Sequence, residues 1–326
     1  MIENLEIKNF KSIKHLKLEC KRVNVFIGKP NTGKSNILES VGIFSFPYES
    51  PHGGIGLKKI VRFVNTTNLF YDNNLDDKIE IFADDKYYEI KYEGGRFVGT
   101  GGDKEKKDFR FDFNLDYDGS GSGGSSSFSP FKFYKFAVME TFPRRESDFL
   151  LPLNGENLQS ILLTNKALRK TVANILNEFG LRIVLKLQEG KIEVQKEVED
   201  VIISYPYSLI SDTLQRVVFY LVAIETNKDS IIIFEEPEAH AFPYYTKFLA
   251  ERIALDKTNQ YFISTHNPYI LSSILEKTPM KDIGIFITYY EDYQTKVKPI
   301  TEEEMPLILD LDASIFFNLD KFLESK

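Results

Sequence analysis

Eight consecutive residues, Gly28-Lys29-Pro30-Asn31-Thr32-Gly33-Lys34-Ser35, fill every fixed position of the pattern GxxxxGK[ST]. Glycines at its ends let a loop curl until its backbone N–H groups point inward. A helix starting where the loop ends adds the positive pole of its dipole. Such a loop suits a phosphate. Lys34 is then expected to reach the β- and γ-phosphates of a nucleotide and the Ser35 hydroxyl to ligate Mg²⁺. A second group, Glu235-Glu236-Pro237-Glu238, follows the apolar run Ile231–Phe234. Acidic residues at the C-terminal end of a buried strand sit where open α/β sheets bind ligands. Glu235 is expected near Mg²⁺ through water, and Glu236 is expected to polarise the attacking water. The third group, Ser264-Thr265-His266-Asn267-Pro268, also ends an apolar run. From there the His266 imidazole is expected to contact a γ-phosphate. His15, His52 and His240 lack that setting and read as packed or surface residues. Arg144 and Arg145 read as surface arginines, the alternative being contact with nucleotide or DNA.

The elements that must hold these groups are visible in the apolar pattern. LEIKNF and HLKLEC alternate apolar and polar residues, as half-buried strands do, while VNVFIG is a short apolar run leading into the glycine loop. The stretch NILESVGIF after the loop suits a buried helix. Residues 53–135 read as a strand meander, with KIEIFA, KYYEIKY and FRFDFNL as its alternating pieces. Within it, Gly119–Ser127 is a Gly/Ser run that behaves as coil, either an engineered linker or a natural loop. From residue 150 helices dominate: Asn157–Phe179 as one or two amphipathic helices with Gly180 as cap, then Ser211–Thr226, Tyr244–Leu255 and Tyr269–Glu276. RIVLKLQ-EGK-IEVQK reads as a hairpin, and IGIFITYY and KVKPI as late strands. Helices alternating with continuous apolar strands predict an α/β layer built on a parallel sheet. The expected division is a β-rich lobe over residues 1–149, carrying the glycine loop, and an α/β lobe over residues 150–326.

Composition narrows the function classes. The chain has 326 residues, 42% hydrophobic and 27% charged, enough for a sizeable core. No window approaches the ~18 apolar residues of a membrane helix, and the N-terminus MIENLEIKNFKSIK lacks the apolar core of a signal peptide. A cytoplasmic protein without a membrane partner is expected. Cys20 is the sole cysteine, which excludes a disulfide scaffold and a Cys-based zinc site. The net charge of −7 argues against a broadly basic nucleic-acid coat. Residues 1–35 nonetheless hold eight basic side chains against three acidic ones. Lys8, Lys11, Lys14 and Lys17 therefore read either as a solvated strand face or as a basic edge for duplex DNA.

Taken in order, the motifs resemble the ATPase heads of the ABC class, in particular the SMC-like, RecF-like and OLD-like group. The resemblance begins at Ile7-Lys8-Asn9-Phe10-Lys11-Ser12, similar to that group's first-strand pattern. It continues through the P-loop, EEPEAH and STHNP, and thus spans nearly the whole chain. It implies a P-loop NTPase fold, an ABC/SMC-like head with ATPase activity in which two copies sandwich two nucleotides and hydrolysis releases them. It also implies action on DNA, in repair or defence. The residues carried over are Gly28, Asn31, Thr32, Gly33, Lys34, Ser35, Asn36 and Lys11 for nucleotide contact, Ser35 and Glu235 for the metal, and Glu236 and His266 for hydrolysis. Ser211, in Leu209–Arg216, stands where such heads keep the signature that docks on the partner's nucleotide; simple N-capping of the following helix is its alternative. Asp212 departs from the glycine expected there, and Gln159 is a poor match to the group's glutamine loop. Neither the hinge and coiled coil of larger members nor a nuclease domain is recognisable. Three classes remain open: an ATPase clamp, a nucleotide-gated module regulating a separate effector protein, and a DNA-end binder.

Overall fold

Apolar residues at alternate positions give Asn4–Phe10 (β1) and Ile13–Glu19 (β2) one buried face each, and the two pair antiparallel with Leu5 opposite Leu18 and Ile7 opposite Leu16. Val23–Gly28 (β3) is buried along its whole length and opens into the glycine loop, after which Lys34–Gly42 (α1) begins. A short helix, Leu57–Ile60 (α2), leads to the meander Ile79–Ala83 (β4), Lys86–Glu93 (β5), Arg96–Asp103 (β6), Arg110–Leu115 (β7) and Gly121–Gly123 (β8). Phe131–Tyr134 (β9) is followed by Leu158–Thr164 (α3) and Lys166–Asn177 (α4), then by Arg182–Lys186 (β10), Lys191–Val198 (β11) and Val201–Pro206 (β12). The remaining chain runs through Asp212–Thr226 (α5), Ile231–Glu235 (β13), Pro243–Leu255 (α6), Gln260–Ser264 (β14), Pro268–Lys277 (α7), Ile283–Glu291 (β15) and Gln294–Pro299 (β16). Met305–Leu311 (α8) and Leu319–Glu324 (α9) complete it. This computed structural model describes residues 1–48, 56–105, 110–123, 130–143 and 146–324.

Three sheets result. The strands β2-β1-β4-β5-β6-β7-β8 form an antiparallel sheet in that order, and β10-β11-β12 form a smaller one. The third, β16-β15-β3-β14-β13-β9, is parallel except for β16. Its central strands are buried on both faces, which is why they read as unbroken apolar runs. Val23, Val25 and Ile27 of β3 point into one core with the helices α3 to α7, whereas Phe26 points into a second core shared with α1 and the antiparallel sheet. Helix α1 contributes Ile37, Leu38 and Val41 to that second core. The helix after the glycine loop is thus gripped between two sheets.

This layering departs from the division expected at residues 149/150. Strands β3 and β9 both precede residue 150, yet β3 is central in the parallel sheet and β9 forms its edge beside β13. The two layers interleave along the chain, so the glycine loop and both acidic and histidine strand ends emerge from one sheet. A second difference concerns the Gly/Ser run: Gly121–Gly123 pairs with β7 as a short strand rather than coil, while residues 124–127 lie outside the described residues. Gly180 behaves as expected, with a left-handed φ of 68° and the Leu181 N–H donating to Leu176 O at 3.1 Å to close α4.

Candidate active site

The glycine loop is shaped by hydrogen bonds that its own sequence provides. Thr32 Oγ1 donates to Lys29 O at 2.8 Å and shares a 2.7 Å hydrogen bond with Thr288 Oγ1 of β15, so this hydroxyl fastens the loop to the sheet. Gly33 adopts a left-handed φ of 94°, and a Cβ there would lie 2.0 Å from Thr295 Oγ1, so conformation and space both demand glycine. Lys34 is buried, and its Nζ donates to Gly28 O at 3.0 Å and Lys29 O at 2.9 Å across the curl of the loop. Burial pushes this ammonium down to about 8, with Glu236 opposing the effect. Ser35 and Asn36 stand half-buried in the first turn of α1, and Asn31 is exposed on the loop. Asn36 Nδ2 donates to Ser12 Oγ at 2.6 Å, and Ser12 Oγ lies 2.6 Å from Thr295 Oγ1.

The other two motifs converge on this loop. The Glu236 N–H donates to Ser264 O at 3.0 Å, extending the β13–β14 pairing by one residue before a left-handed φ of 46° turns the chain aside. Its carboxylate then stands 3.5 Å from His266 Nε2. Burial, and next the Lys34 ammonium, push the His266 imidazole below its usual range despite Glu236, which leaves it neutral at pH 7. The ring also faces Phe316, with centroids 6.4 Å apart, and Asp320 of α9 pairs with Lys29 at 2.8 Å. The C-terminal helical segment thereby touches both the loop and the histidine.

Glu235 has a partner that no motif announced. Arg62 Nη2 donates to Glu235 Oε1 at 2.7 Å, and Arg62 Nε donates to Glu39 Oε1 at 2.8 Å. Glu39 is fully buried on α1, and its other oxygen accepts Lys11 Nζ at 2.6 Å. A carboxylate taken wholly out of water must be paired, and two cations do so here. Lys11 is consequently held beside α1 instead of standing on an open basic edge. Lys8 and Lys17 are also paired, both with Glu6 and Lys8 additionally with Glu80. Much of the positive charge expected along this edge is therefore neutralised within the protein.

Ser211 belongs to a different element from these groups. It precedes α5 without a side-chain capping bond, and among the described residues no hydrogen bond joins it to the glycine loop. Asp212 occupies the first turn of α5 and accepts Arg216 Nε at 2.6 Å, a favourable place for a carboxylate on the helix dipole. Gln159 is structural: buried, its Nε2 donates to Lys186 O and Lys191 O and closes the β10–β11 hairpin. His15 pairs with Glu6 at the surface, and His240 is exposed. His52, Arg144 and Arg145 lie outside the described residues.

The donor set fits a nucleotide triphosphate with a divalent ion. A curled loop with an inward ammonium, a hydroxyl at a helix start and an acidic strand end meet at one sheet edge. Among the described residues no cluster of three or more His, Cys, Asp or Glu could hold a metal ion; Ser35 and Glu235 are the residues that would hold Mg²⁺ with a bound nucleotide. Such a site on such a sheet defines a P-loop ATPase head. Residues 1–174 match the AAA ATPase domain, and the chain belongs to that family. Among solved structures, it is similar to an Smc head bound to the C-winged helix domain of ScpA, with a TM-score of 0.56, 15% identity, and coverage of 93% of this chain and 99% of that one. It also resembles the Smc head with an extended coiled coil bound to the C-terminal domain of ScpA from Pyrococcus furiosus, with a TM-score of 0.54, 13% identity, and coverage of 95% and 98%. The fold is that of an SMC-like head. An uncharacterized protein of Methanocaldococcus jannaschii, MJECL10, is 49% identical over 45 residues, 14% of this chain and 20% of that protein. The chain thus spans about a fifth of that curated relative's length. Among the described residues no helix is long and apolar enough to cross a membrane.

Proposed function

We propose that the protein binds ATP with Mg²⁺, hydrolyses it, and dimerises on ATP. The observation that carries this reading is the meeting of Lys34, Glu236 and His266, from three separate strand ends, at the mouth of one phosphate loop. Lys34 and the loop amides bind the phosphates. Ser35 and Glu235 hold Mg²⁺, which when bound neutralises phosphate charge. Glu236, half exposed beside a neutral imidazole, accepts a proton from water, and His266 donates to a phosphate oxygen. Ser211 serves the partner's nucleotide rather than its own; its exposure at the start of α5 supports this. The deciding experiment is ATPase rate and solution mass, with and without duplex DNA. Turnover together with a mass that doubles in ATP-Mg²⁺ is the expected result; absence of both overturns the proposal.

A second reading is favoured by Asp212. A carboxylate in the first turn of α5, although paired with Arg216, opposes docking of a partner's phosphate. In that reading ATP switches an assembly with an effector protein and turnover is negligible. A role on DNA, in repair or defence, has less support, since Lys8, Lys11 and Lys17 are already paired.

The buried lysine supplies a pH test. Below about 8 the loop carries its positive charge, and above it the charge is progressively lost. ATP affinity is expected to fall as pH rises past that value, by up to about tenfold per pH unit. Calorimetry at fixed Mg²⁺ reads this directly, and a flat profile would detach Lys34 from the phosphates.

A further inference from the structure

Glu238 follows the acidic strand end by three residues, yet its side chain turns back into the protein and the residue is only 6% exposed. Its Oε1 accepts the Thr265 hydroxyl and, at 3.3 Å, the His266 N–H. Thr265 is itself anchored, its N–H donating to Phe26 O of β3 at 3.1 Å and its Oγ1 accepting the Asn267 N–H at 2.9 Å. On the other side, the turn is closed by the Ala239 N–H donating to Glu236 O at 3.0 Å and the Ala241 N–H to Glu238 O at 2.9 Å. Glu238 Oε2 is buried without a hydrogen-bond partner, and among the described residues no cation pairs with this carboxylate. Burial pushes the carboxyl up to about 7, a measure of how poorly the site solvates its charge. A carboxylate kept in such a place without a counter-ion is destabilising unless its geometry does something else. Both groups it holds belong to the histidine loop, while its own backbone belongs to the loop that carries Glu236.

We propose that Glu238 is a positioning residue: it ties the Glu236 loop to the His266 loop and so fixes the two side chains in one geometry, 3.5 Å apart. Its consequence for rate rests on the ATPase reading above, but the tie itself does not. Without it, the two loops are joined by the Glu236 N–H to Ser264 O bond and can shift against one another. Displacements of about 1 Å in a reacting constellation cost on the order of a hundredfold.

The test compares Glu238→Ala, Glu238→Gln and Thr265→Val in the full chain, alone and with His266→Ala. Glu238→Ala is expected to lower kcat roughly 10- to 100-fold with ATP affinity nearly unchanged. Glu238→Gln, which keeps an acceptor, should recover most of the loss, and Thr265→Val, which removes the donor on the other side, should reproduce part of it. In the His266→Ala background Glu238→Ala should add little. Provided wild type turns ATP over, an equal loss in both backgrounds, or none in either, overturns the proposal. A readout independent of turnover separates this from failure of the ATPase reading. The His266 Cε1–H resonance, assigned by its disappearance in His266→Ala, should shift or broaden in Glu238→Ala and in Thr265→Val while that of His15 stays in place. An unmoved His266 resonance in both variants overturns the tie even if wild type hydrolyses ATP. A moved one upholds it even if wild type does not.

Discussion

Lys34→Ala is expected to abolish measurable ATP binding. The wild-type ammonium sits inside the loop, donating to Gly28 O and Lys29 O and shielded from water. A triphosphate entering that curl exchanges those carbonyls for phosphate oxygens of far greater charge. With alanine in place, the phosphates would still be desolvated by the loop but would face no cation there. Removing one partner of a buried charge pair costs about 3–5 kcal/mol, which is a loss of roughly two to four decades in affinity. Calorimetry in Mg²⁺ should therefore give a flat trace at concentrations that saturate wild type. The fold should survive, since α1 is held by Ile37, Leu38 and Val41 and not by the lysine. Unchanged affinity in a folded variant would sink the phosphate-loop assignment.

What the sequence made legible follows from how local each signal is. The glycine loop, Glu235-Glu236 and His266 could be placed because each ends an apolar run, and a run buried on both faces can only be an inner strand of a covered sheet. That the three runs are adjacent, β3 between β15 and β14 with β13 next, follows from pairing across hundreds of residues and had no local mark. The same limit explains β9: FKFY looks like one more meander strand, and only its pairing with β13 assigns it to the parallel sheet. Strand β6 was hidden for a different reason. Its Gly99 and Gly101 interrupt the apolar alternation that marks the named pieces of the meander, and a Cβ at Gly99 would lie 2.0 Å from the Phe113 ring, so the glycine makes room for a cross-strand aromatic.

The ion pairs were the least legible part of the site. Glu39 in NILESVGIF sits directly after Ile37 and Leu38 on a helix that is buried from Ile37 onward, and a buried acid of that kind requires a cation, but nothing in the spacing says which one. Arg62 lies in a segment without periodicity, and its link from Glu39 to Glu235 exists only in three dimensions. Lys11 was read both as a nucleotide contact and as part of a basic edge, and the buried Glu39 beside it decides against the edge.

Glu236→Gln is expected to separate nucleotide binding from hydrolysis and to trap the dimer. Glutamine is nearly isosteric, and Lys34, Ser35 and Glu235 remain, so affinity for ATP and Mg²⁺ should hold. What disappears is the carboxylate 3.5 Å from His266, which in the proposed mechanism accepts the proton of water. A positioned general base is worth roughly two to four orders of magnitude, and hydrolysis should fall by that much. ATP then persists, and the protein should shift from monomer to dimer in ATP-Mg²⁺ but not in ADP, read by light scattering after size exclusion. Ser211→Arg supplies the counter-experiment. Ser211 is exposed at the start of α5 and has no part in the loop of its own chain. A bulky cation there should block the shift while leaving ATP binding by the monomer intact. Should Glu236→Gln bind ATP and stay monomeric, Asp212, paired with Arg216 at the same helix start, becomes the first residue to replace, by glycine. Should wild type bind ATP without turnover, the carboxylate at position 236 has no reaction to assist, and the gated module supersedes the ATPase.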